Sequence, residues 1–108
     1  MRFEVLLTED ALRDLIEIYD YIVEHDAPEK AVHVLEQIER VIAALANYPE
    51  RGGYPKELLS LGIREYRQTY FKPYRIIYRV AKRRVYVYLI GDGRRDMQAL
   101  LSRRLLDA

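Results

Sequence analysis

PYRIIYRV, residues 73–80, sets Tyr74, Ile76, Tyr78 and Val80 against Arg75, Ile77 and Arg79 in strict alternation. A period of two marks a β-strand with one apolar face turned to a core. The other face carries two guanidiniums on the same side of a sheet. Two readings are open: a solvated face that discourages edge-to-edge association, or a surface that meets something negative. The neighbouring segments have the same character. IREYRQTYF (63–71) and RVYVYLI (84–90) are rich in β-branched and aromatic residues. Lys72-Pro73 and Ala81-Lys82-Arg83 are connections so short that they demand antiparallel neighbours.

Upstream the period changes. Phe3–Leu7 reads as a short strand, and Thr8 followed by Glu9 and Asp10 as a helix N-cap with acids at the positive helix end. Leu12, Leu15, Ile16, Tyr19, Ile22 and Val23 form the expected buried stripe of a first helix. Asp26 with Glu29 resembles a capping box, and Pro28 suits the first turn of a second helix. Its stripe is Ala31, Val34, Leu35, Ile38, Val41, Ile42 and Leu45. The break between them is short, so the two helices form an antiparallel hairpin. ERGGYPKELLSLG (50–62) reads as a loop, pinned by Leu58, Leu59 and Leu61. GDG (91–93) ends the last strand. A third helix follows, capped by Asp92, with Met97, Leu100, Leu101 and Leu105 on one side. The expected fold is α+β, in the order β-α-α-β-β-β-α: a helical hairpin packed on one face of a twisted antiparallel sheet, the other face open. Residues 1–108 form a single domain.

The 108 residues carry a net charge of +1 and no cysteine, which removes disulfide frameworks and thiolate metal sites. No apolar run approaches the length of a membrane span, and a cytoplasmic setting is expected. The net charge hides a split. Residues 1–50 hold 4 Lys/Arg against 12 Asp/Glu, or −8; residues 51–108 hold 14 against 5, or +9. A basic half suits nucleic acid or an acidic protein segment, or simply a solvated face drawn to its acidic counterpart.

The candidate functional residues lie in that half. Arg64 and Arg67 fall on or near the second strand and Arg75 and Arg79 on the third. Arg94 and Arg95 fall in the first turn of the last helix, where a cation meets the positive end of the dipole. An arginine fork matches phosphate or carboxylate oxygens. Tyr66, Tyr70, Tyr74, Tyr78, Tyr86 and Tyr88 interleave with these arginines, fit for a binding face or for half-buried sheet positions. GDGRRD is no dinucleotide fingerprint, since Asp96 stands at the third glycine position and no βαβ unit surrounds it. His25 and His33 lack companions at metal spacing, so neither metal nor cofactor is expected.

The element order, GIRE opening the second strand, YRIIYRV as the third and the Arg-Arg pair after the fourth resemble the RelE/ParE superfamily of toxins from bacterial type II toxin–antitoxin modules. The resemblance spans nearly the whole chain. It implies a cytoplasmic growth-arresting toxin, associated with plasmid stabilisation, that a cognate antitoxin neutralises in a hetero-oligomer. RelE-type members cut mRNA on the ribosome without a metal; ParE-type members poison DNA gyrase. Arg75 and Arg95 match the RelE arginines of the third strand and of the segment after the fourth. Where RelE has two lysines on the second strand, this chain has Arg64, Tyr66 and Arg67, and Leu101 stands where RelE has a C-terminal tyrosine. Arginine can stabilise a phosphorane but is a poor general base, with a pKa above about 12, so a nuclease built on Arg64, Arg67, Arg75 and Arg95 lacks a proton shuttle. The helices of about 17 residues are also longer than the average of about 11–12 and resemble ParE. The resemblance therefore implies a gyrase inhibitor without catalytic residues, its target contacts drawn from Arg75, Arg79, Arg94, Arg95, Arg103 and Arg104. The alternative partners are the ribosome and mRNA.

Overall fold

The computed structural model describes residues 2–106. Strand β1 (Glu4–Leu7) leads into helices α1 (Glu9–His25) and α2 (Pro28–Ala44). A 3-10 turn at Pro49–Arg51 and the short helix α3 (Lys56–Leu59) precede strands β2 (Arg67–Phe71), β3 (Tyr74–Ala81) and β4 (Arg84–Asp92). Helix α4 (Met97–Leu101) and a π-helical turn (Ser102–Leu106) complete the fold. The expected α+β order is present. The loop of residues 50–62 is more structured than its glycines imply, because Leu58 is buried and anchors α3.

The sheet order is β1-β4-β3-β2. β2, β3 and β4 pair antiparallel, as their short connections require, but β1 runs parallel to β4. A parallel pair needs a long crossover, and here most of the chain separates the two strands. Thr8 caps α1 as expected, its hydroxyl accepting from the Ala11 N–H at 3.1 Å. The capping box at the next helix does not form. Asp26 closes α1, Ala27 is the N-cap of α2 with no side-chain bond, and Asp26 instead pairs with Lys30.

The main core lies between the hairpin and one sheet face: Ala11, Leu15, Ile22, Ala31, Val34, Ile38 and Ile42 against Ile76, Tyr78, Val85, Val87 and Ile90. The α1 stripe is rotated from the expected one, leaving Leu12 and Ile16 exposed. A bulge explains how Val87 and Ile90 reach the same core at odd spacing. Ile77 pairs with Leu89 but Tyr78 pairs with Val87, so Tyr88 is the extra residue.

The second sheet face is not open. Ile77 and Leu89 pack with Leu58, Met97 and Leu101 in a smaller core, so α3 and α4 cover that side. The bulge allows this too, because it brings Leu89 opposite Ile77; Tyr88 stands edge-on to Tyr66 at 5.5 Å beside the same cluster.

Candidate target-binding site

Arg75 sits in the middle of β3, opposite Gly91 of β4 and Tyr70 of β2. Its residue is only 8% exposed. Both terminal nitrogens donate to Glu57 of α3 at 2.8 Å, and its Nε donates to Gln68 Oε1 at 3.0 Å. The fork is therefore filled from within, by a carboxylate that the short α3 carries to it. That guanidinium holds the Glu57 carboxyl below the usual range, and Glu57 in turn raises Arg75. The turn after β4 closes over the arginine stem. Gly93 N–H donates to Pro73 O at 2.8 Å, and a Cβ on Gly93 would stand 2.9 Å from Arg75 Cδ. The second glycine of GDG is thus a close-approach glycine.

Arg67 is also engaged internally. It donates to the carbonyls of Glu50 and Gly52 and to Tyr54 Oη, and its guanidinium lies 4.7 Å from the Tyr54 ring centroid. Arg104 forks onto Asp14 of α1 at 2.9 and 3.0 Å and donates to Tyr88 O at 2.7 Å. Asp14 accepts from the Ile90 N–H as well. β1 stops at Leu7, opposite Val87, so β4 runs on beyond its parallel neighbour. The Asp14–Arg104 pair satisfies the edge groups left there.

The remaining candidates face outward. The α4 N-cap is Asp96, which accepts from the Ala99 N–H, so Asp92 is not the cap and Arg94 and Arg95 precede the helix rather than opening it. Asp92 instead folds back on Arg94, whose side chain is 77% exposed; this contact lowers the Asp92 carboxyl. Arg95 is exposed, and only its backbone N–H is engaged, by Asp92 O. Arg79 is half-exposed and loosely paired with Glu65 at 3.6 Å. Arg64 precedes β2, because the strand starts only at Arg67; it is exposed, as is Arg103. Among the described residues no carboxylate lies within ion-pair distance of Arg64, Arg95 or Arg103.

The expected row of free guanidiniums across an open sheet is therefore corrected. Arg75 and the turn holding Arg94 and Arg95 do come together, but Arg75 is sealed beneath the turn and Arg104 is folded against α1. Glu57, Gln68 and Asp14 are the residues that sequence reasoning missed. Only Glu57 leaves a signal, its scarcity: it is the sole carboxylate between Arg51 and Arg64. Among the described residues no group of three His, Cys, Asp or Glu is arranged to hold a metal, and no helix is long and apolar enough to cross a membrane.

The family model described as "ParE toxin of type II toxin-antitoxin system, parDE" matches residues 5–97. The chain belongs to the ParE toxin family of type II toxin–antitoxin systems. Several solved structures share the fold, and two of them come from toxin–antitoxin systems. One is from the chromosomal ParDE toxin–antitoxin system of P. aeruginosa, at TM-score 0.72 and 24% identity, covering 84% of this chain and 96% of that one. The other is from the RelBE2 toxin–antitoxin complex of Mycobacterium tuberculosis, at TM-score 0.56 and 20% identity, covering 85% of this chain and 92% of that one. No curated protein gives a significant match.

Proposed function

We propose that this ParE-family toxin inhibits DNA gyrase by binding it and that a cognate antitoxin neutralises it. The observation that carries the choice over RNA cleavage is the filled fork of Arg75. A guanidinium already bound to Glu57 has no face free for a scissile phosphate, and a carboxylate whose pKa is depressed by an arginine is a weak proton acceptor. Arg67 is committed to backbone carbonyls in the same way.

The target surface is the outward turn of Arg94 and Arg95, extended by Arg79 and Arg103, and set rigidly by the Arg75–Glu57 pair beneath. Arg104 contributes by holding the C-terminal turn in place. The antitoxin segment lies in the apolar groove of about 420 Å³ between β1 and the hairpin, lined by Phe3, Val5, Leu7, Leu12, Leu15 and Ile42. Exposed Leu12 and Ile16 extend that surface, and the outer edge of β1 borders it.

The test is a supercoiling assay with purified gyrase and relaxed plasmid, run beside ribosomes programmed with mRNA. Lost supercoiling or linearised plasmid at stoichiometric toxin, with intact mRNA, is expected. Ribosome-dependent cuts with unimpaired gyrase would overturn the proposal in favour of the RelE-type activity.

A further inference from the structure

We infer that the β3–β4 hairpin tip and the 3-10 turn beside it form a second basic surface, which binds the phosphodiester backbone of duplex DNA independently of the Arg94–Arg95 turn. Lys82, Arg83 and Arg84 are consecutive and exposed, at the end of the sheet opposite the β2–β3 turn. Lys82 and Arg83 are the two residues between the paired Ala81 and Arg84, and Lys82 holds φ at 58°. That left-handed backbone favours Gly, Asn or Asp. A two-residue hairpin calls for that backbone, and a lysine there puts a cation at the tip where glycine or asparagine would sit with less strain.

Arg51 supplies a separate cation from the neighbouring turn. Its guanidinium lies 4.1 Å from the centroid of the Tyr48 ring, and that of Arg83 lies 5.8 Å from the centroid of the Phe3 ring. Phe3, Tyr48 and Arg51 line one shallow groove of about 370 Å³. Each of the two cations thus lies over a ring that lines the groove. Glu4 pairs with Arg84. Glu50 also lines the groove. Among the described residues, Arg51, Lys82 and Arg83 have no ion-pair partner.

An acidic protein segment is a poorer fit than DNA. Protein interfaces need apolar anchors at their centre, and the exposed Tyr48 ring already has Arg51 over one face. Backbone phosphates need only cations held at a distance from one another on a projecting rim.

The experiment is fluorescence anisotropy of a short labelled duplex with the full chain, without gyrase, over a range of salt. Each lost phosphate contact flattens the slope of log affinity against log salt by about 0.9. The Lys82→Ala/Arg83→Ala variant is expected to flatten it by about 1.8. Lys82→Gly is expected to raise the melting temperature, by releasing the backbone conflict, while weakening DNA binding. Lys30→Ala/Lys72→Ala, which removes the same charge elsewhere, is expected to leave the slope unchanged. An equal loss in that control, an unchanged slope in the hairpin variant, or competition by polyglutamate as effective as by unlabelled duplex would overturn the inference. Because gyrase is absent, failure here leaves the target assignment standing.

Discussion

Arg75 joins three parts of the molecule through one side chain: β3, which carries it; α3, which sends Glu57 to it; and the Gly91–Arg95 turn, which rests on its stem. Removing one partner from a pair this well covered strands the other charge. Arg75→Ala should therefore cost about 3–5 kcal/mol of stability, measurable by urea unfolding. Glu57→Gln keeps the volume but not the charge and should destabilise in the same direction. The pair also sets an acid limit. Glu57 has its carboxyl lowered in the folded state, so its contribution is present above the unfolded carboxylate value of about 4.3 and is lost as pH falls below it. A plot of melting temperature against pH should drop on acidification below that value, and the drop should shrink in Glu57→Gln. From the sequence, period two placed Arg75 on a strand face correctly. What it could not supply was the partner, because Glu57 is 18 residues upstream on a helix hidden in a glycine-rich stretch.

The Asp14–Arg104 pair acts at the level of elements. It joins α1 to the C-terminal turn across the part of β4 that β1 leaves uncovered. Asp14→Ala should cost about 2–4 kcal/mol, and hydrogen exchange should rise first at the Ile90 amide, which bonds to that carboxylate. By contrast Thr8→Ala, which removes only the N-cap of α1, should cost about 1 kcal/mol. The helices and strands were legible because their periods differ. The bulge at Tyr88 was not, since one extra residue leaves no mark in a run of alternating valines and tyrosines. The cover over the second face was hidden for the same reason. Leu58, Met97 and Leu101 look like ordinary apolar residues until the bulge turns Leu89 toward them.

Over the whole molecule, the acidic and basic halves are partly reconciled by folding. Glu4 meets Arg84, and Asp10 and Asp14 meet Arg104, each pair crossing from the acidic half to the basic one. The charge split was visible in the sequence, but its division into internal pairs and outward cations depends on tertiary contacts 80 or more residues apart. Among the cations that remain outward are Arg94 and Arg95, which the proposed function gives to the target, and those of the β3–β4 tip. The direct test is the toxin concentration giving half-inhibition of gyrase supercoiling, compared between the native chain and Arg94→Ala/Arg95→Ala. These side chains are exposed, so the variant should fold with little change in melting temperature. A rise of about tenfold or more in that concentration, equivalent to about 1.4 kcal/mol of lost binding, is predicted. An unchanged concentration in a folded variant would contradict the assignment.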